Sequence, residues 1–115
     1  MIETKIYVGL NDADTLEQKH DTMKYVSVLR NVCRGYHVPF SFNLVEGGYM
    51  HDDGRYTQEK TLVISLIDVD SDVKNEIAKD LCAFFNQESV MITEGEIKAY
   101  FINDTLNQGG NDESF

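Results

Sequence analysis

The chain is poor in basic residues: ten Lys and Arg stand against twenty Asp and Glu in 115 residues, a net charge of −10. A nucleic-acid partner needs clustered cations to neutralise phosphates, and these ten are spread along the chain, so the sequence argues against one. Cations or mixed-charge small molecules suit it better as ligands. No run approaches the ~18 uninterrupted apolar residues of a spanning helix, and the opening MIETKIYVGL lacks the charged-then-apolar pattern of a signal peptide, so a soluble, cytoplasmic protein without a membrane partner is expected. Cysteine is scarce too. Cys33 and Cys82 form no CxxC and fall on apolar positions of predicted helices, where they read as buried reduced thiols. His20 and His37 are isolated, and no metal-ligand set, nucleophile triad or phosphate loop is found, so neither metal nor cofactor is expected. The length suits one domain with a real core.

What is present is a clear alternation of periods. Residues 5–10, KIYVGL, alternate around Ile6, Val8 and Leu10 as a strand does. Thr15-Leu16-Glu17-Gln18 has the T-x-x-Q form of a capping box, and predicts a helix carrying Leu16, Met23, Val26, Leu29, Val32, Cys33 and Tyr36, stopped by Gly35 and Pro39. A second alternating run covers 40–46, with Phe40, Phe42 and Leu44 on one face. TLVISLIDV is apolar on both faces and reads as a central strand. Ser71 or Asp70 caps a second helix with Val73, Ile77, Leu81, Phe84 and Phe85 as its stripe, and a last strand is expected over roughly 89–102, with Glu94-Gly95-Glu96 as a candidate break.

The predicted order β-α-β-β-α-β is that of an α+β ferredoxin-like domain over 1–103, with a four-stranded antiparallel sheet, both helices on one face, and a flexible tail over 104–115. Leu62, Ile64 and Leu66 would face the helices. Glu59, Thr61, Val63, Ser65 and Ile67 fall on the other face, with Tyr7, Val45, Tyr100 and Ile102 on neighbouring strands. That face is too apolar for water and predicts a homo-oligomer.

Between the second and third strands lies GGYMHDDGRYTQEK, a connection over roughly 47–58 that is about twice the usual hairpin length. Gly47-Gly48 reads as a bulge or strand-end kink, and Asp53-Gly54 as a tight turn. His51-Asp52-Asp53 reads as a solvated tip or, less economically, a metal site. Tyr49 and Tyr56 are packing or rim residues unless they meet a ligand. Glu59 lies by parity beside Val63 and Ile67, as an exposed strand-end charge, a subunit ion pair or a functional carboxylate.

From Glu46 to Ile102, about half the chain, the sequence resembles the phage-type S-adenosylmethionine (SAM) lyases, long called SAM hydrolases. The family pattern has G-x-Y at a strand end, a glutamate about ten residues later just before an S/T-L-V-V-like strand, and a helix ending in aromatic-Asn-Gln. A V-L-V-type strand and an apolar-aromatic strand follow. Here stand Gly47-Gly48-Tyr49, Glu59 before Thr61-Leu62-Val63-Ile64, Phe85-Asn86-Gln87, Val90-Met91-Ile92, and Ala99-Tyr100-Phe101-Ile102.

The resemblance implies a PII-like trimer with ligand sites between subunits, acting without cofactor. It implies cleavage of SAM to methylthioadenosine and homoserine lactone by attack of the substrate's own carboxylate, with Glu59 and Tyr49 as catalytic residues. Gly48, Tyr56 and Lys98 are further candidates for substrate binding. Some relatives act on a SAM–AMP conjugate, a type III CRISPR second messenger, so either small molecule is an open substrate and a counter-defence role in a bacterial host is implied. For the added phosphate His51, Arg55, Lys60 and Lys98 are the candidates. A non-catalytic PII-like adenylate sensor, a SAM hydrolase with Glu59 as general base, and a plain interaction module remain the alternatives.

Overall fold

A computed structural model describes residues 1–50 and 53–104, the side chain of Tyr49 excepted. Its elements are β1 (Ile2–Gly9), α1 (Thr22–Gly35), β2 (Ser41–Met50), β3 (Tyr56–Ile67), α2 (Ser71–Phe84) and β4 (Met91–Glu96). The strands form one four-stranded sheet in the order β2-β3-β1-β4, antiparallel at every junction. This is the predicted ferredoxin-like arrangement.

Strand parity builds the core. Ile6, Val8 and Leu10 from β1 and its end, with Leu62, Ile64 and Leu66 from β3, are fully buried in one cluster with Tyr25, Val26, Leu29 and Cys33 of α1 and Ile77, Ala78 and Leu81 of α2. Both helices therefore cover one face. Burial pushes the Cys33 thiol up to about 11, which keeps it protonated and inert, and Cys82 is free and half-buried. On the other face Val63 is buried between its register partners Tyr7 and Asn43, while Val45 and Ile67 are about two-fifths exposed, at 42% and 41%.

Both helices end in the same way, α1 at the predicted Gly35 and α2 just ahead of Phe85-Asn86-Gln87. After α1, His37 takes φ +58; its N–H bonds Arg34 O at 3.0 Å and the Val38 N–H bonds Cys33 O at 3.3 Å. After α2, Asn86 takes φ +49; its N–H bonds Ala83 O at 3.2 Å and the Gln87 N–H bonds Cys82 O at 2.9 Å. These are Schellman pairs, with a left-handed residue closing each helix. Gly35 is simply the last helical residue, and His37 makes the turn ahead of Pro39.

Four expectations are corrected. The Thr15-x-x-Gln18 capping box starts no helix: α1 begins at Thr22, because Asp12 Oδ1 accepts the N–H groups of Asp14 and Thr15 at 2.9 and 3.1 Å and folds the chain into a loop. Leu16 there has φ +61 and is exposed, as is Met23.

The β2–β3 connection is not long, since pairing continues through Gly47↔Glu59, Gly48↔Gln58 and Tyr49↔Thr57 to Met50↔Tyr56. The last strand stops at Glu96, so Tyr100 and Ile102 lie off the sheet and are exposed, together with Phe101. Phe84 is 66% exposed, and the buried face of α2 instead takes Lys74, whose Nζ reaches Glu94 Oε1 at 2.9 Å and Thr4 Oγ1 at 3.3 Å. His51, Asp52 and the tail beyond Asp104 lie outside the described residues.

Candidate functional site

Where β1 ends and β3 begins, the ladder runs on as backbone and side chain together. Leu10 N–H still bonds Lys60 O at 3.0 Å. One residue further, Asn11 N–H donates not to a backbone carbonyl but to Glu59 Oε2, at 2.9 Å, while Asn11 Nδ2 reaches Gln58 O at 3.4 Å. A backbone donor to an ionised carboxylate is a charge-assisted bond, stronger than a neutral pair. Glu59 is half-buried and lies on the face away from the helices, as its parity predicts.

The other side of the Asn11 peptide is also held. Gln87 Nε2 donates to Asn11 O at 2.6 Å. Gln87 is placed there by the Schellman turn of α2, whose left-handed residue, Asn86, sends its Nδ2 to Asp12 Oδ2 and Asp14 Oδ2, both at 3.0 Å. Asp12 is buried, with Lys19 Nζ 3.2 Å away. The Asn86 amide holds the Asp12 carboxyl well below the usual carboxylate range; burial opposes it, and the N–H groups of Asp14 and Thr15 and the Lys19 ammonium add to it. Ala13 N–H completes the clamp on Asn86 O at 2.9 Å.

Two open cavities meet at Glu59. The larger, about 500 Å³, is lined by Asn11, Asp12, Ala13, Leu16, Glu59, Gln87, Glu88 and Ser89. The smaller, about 200 Å³, is lined by Asn11, Gln18, Glu46, Gln58, Glu59 and Lys60. Asn11 and Glu59 belong to both.

Of the other sequence candidates, Tyr49 stands opposite Thr57 in the backbone ladder, two residues beyond the Gly47↔Glu59 pair; its side chain is outside the described residues. Gly48 and Tyr56 come together. A Cβ on Gly48 would lie 2.7 Å from Tyr56 Cε1, so the ring rests over that glycine, yet Tyr56 is 67% exposed. By parity both stand on the opposite sheet face from Glu59. Lys98 is far off: Glu96 pairs with Ile2 and Ile97 N–H bonds Met1 O at 2.8 Å, the whole length of β1, roughly 30 Å, from Asn11.

Of the phosphate candidates, Arg55 Nε is bound to Asp53 Oδ2 at 2.7 Å, and Lys60 lines the smaller cavity. Among the described residues no group of three His, Cys, Asp or Glu is arranged to hold a metal, and no helix is long and apolar enough to cross a membrane. Asn11, Asp12, Glu88 and Ser89 had no signal in the sequence; Asn86 and Gln87 were visible only as part of the aromatic-Asn-Gln motif.

The class this architecture defines is ferredoxin-like, and comparison with solved structures narrows the likeness. A phage SAM lyase in complex with S-methyl-5′-thioadenosine superposes with a TM-score of 0.64 at 23% identity, over 83% of this chain and 80% of that one. A phage SAM lyase in the apo state gives 0.61 at 21% identity, over 89% and 92%. CutA1 of Pyrococcus horikoshii gives 0.52 at 11% identity, over 94% and 92%. No protein-family model and no curated protein matches the chain. The fold is thus one that phage SAM lyase and CutA1 share.

Proposed function

We propose that this protein is a lyase that cleaves SAM to methylthioadenosine and homoserine lactone. The observation that carries the reading is the Glu59 carboxylate, fixed by Asn11 N–H at the meeting point of two cavities, in a fold shared with phage SAM lyase.

The chemistry asks little of the protein. A substrate carboxylate oxygen bonds to the methionyl carbon next to the sulfonium as the carbon–sulfur bond breaks, and the bonding pair leaves with sulfur as a neutral thioether. No proton moves and no water is consumed. Opposite charges are neutralised in the transition state, so a site that excludes water favours it, and holding the methionyl arm in its ring-closing shape supplies much of the rest.

In this reading Glu59 anchors the ammonium or other polar parts of the substrate and so sets the arm's shape. Tyr49 is assigned beside the sulfonium on the strength of the family pattern. Among the described residues the larger cavity is lined by Asp12, Glu59 and Glu88 and by no Lys or Arg, which favours cationic SAM over a conjugate with an added phosphate. Both cavities are open in a single chain. We assign the missing wall to a second copy docked through the apolar sheet face of Val45 and Ile67, with a homotrimer as the assembly.

Incubation with SAM and, separately, with its AMP conjugate tests the reading by mass spectrometry of the products. Methylthioadenosine with homoserine lactone from SAM is the expected result, lost at least ~100-fold in Glu59→Gln with the fold unchanged. SAM left intact by the wild type would overturn it.

A further inference from the structure

Gly9 is the last residue of β1 and pairs with Thr61, so its open side lies beside Glu59 on the same sheet face. A Cβ built there would stand 2.5 Å from Glu59 Oε2, 2.6 Å from Cδ and 2.7 Å from Oε1. All three distances are shorter than a real Cβ tolerates, and their near equality means that the carboxylate lies face-on against the Gly9 backbone. Gly9 is not among the positive-φ residues, so its strand geometry is one that alanine adopts freely. Neither turn chemistry nor backbone strain accounts for a glycine here. The carboxylate's position does.

The same recess puts Oε2 in line with Asn11 N–H at 2.9 Å, and Gln87 fixes the far side of that peptide. We propose that Gly9 is a positioning residue for Glu59: the side chain it lacks leaves the recess in which the carboxylate is held against β1 and within reach of Asn11 N–H. The proposal rests on Glu59 as the substrate-anchoring carboxylate. The group that must yield to a methyl at position 9 is the far end of one flexible side chain, so Gly9→Ala displaces the carboxylate and leaves the sheet standing.

A double-mutant cycle on the full chain tests this. Gly9→Ala is expected to lower kcat/KM for SAM roughly 100-fold, the scale of a 1 Å misplacement. Glu59→Asp, too short to reach Asn11, should cost much in the Gly9 background and little after Gly9→Ala, because the contact is already broken. Wild-type kcat/KM in Gly9→Ala, or losses that simply multiply, would overturn the proposal.

A second readout does not depend on activity. In the wild type the Asn11 amide resonance should follow the titration of Glu59, and in Gly9→Ala it should cease to do so. If the wild type leaves SAM intact, the lyase reading falls and this resonance decides the positioning alone; an Asn11 amide that tracks Glu59 equally in both proteins contradicts it.

Discussion

At the scale of single residues, the candidate site holds two carboxylates in different settings. Glu59 is half-buried where the two cavities meet, whereas Asp12, which also lines the larger one, is held by the loop it folds. Because Asp12 is held well below the ordinary carboxylate range in the folded chain, its contribution is complete above its unfolded value, about 3.9, and is lost as pH falls through the lower folded one. Stability should therefore decline on the acid side, below about pH 5. Asp12→Asn should be less stable at pH 7 and show a flatter acid-side decline, followed by urea midpoints between pH 7 and pH 2. An equal decline in both proteins would remove Asp12 from the linkage.

The face on which Glu59 lies could be read from the sequence, because strand parity fixes it. Its partners could not. Asn11 is 48 residues away and the Asp12–Asn86 pair spans 74, and no local spacing encodes such contacts.

At the scale of elements, the alternating strands and the helical stripes were legible because each period depends only on local sequence. Central β3 is the clearest case: Leu62, Ile64 and Leu66 are fully buried, as its pattern requires. Boundaries were less legible wherever a side chain competes with the backbone. Thr15-x-x-Gln18 has a capping form, but Asp12 captures the N–H groups of Asp14 and Thr15 first. Gly47-Gly48 looks like a break, yet the ladder runs straight through it.

The two helix ends offer a contrast that tests this account. His37→Gly should raise stability by about 1 kcal/mol, since glycine adopts the left-handed turn without penalty. Asn86→Gly occupies the same turn and should bring no such gain, because it deletes the amide that binds Asp12 and Asp14. Equal gains in chemical denaturation would mean that the amide clamp contributes nothing.

At the scale of the whole molecule, one chain gives a sheet with helices on one face and a partly apolar surface on the other, where Val45 and Ile67 remain exposed. Apolarity of that face was readable from β3, and it is the ground on which a homo-oligomer was expected. If copies dock there, Val45→Lys with Ile67→Lys should shift the protein to monomer in sedimentation and reduce SAM turnover with it. A monomeric wild type with full activity would remove the shared site.

The central claim is that ring closure within the substrate, not water, breaks the carbon–sulfur bond. It is tested most directly by turnover of SAM in water enriched in heavy oxygen, with products identified promptly by mass spectrometry. The account predicts homoserine lactone free of heavy oxygen as the first product; labelled homoserine appearing first, with no lactone before it, would contradict it.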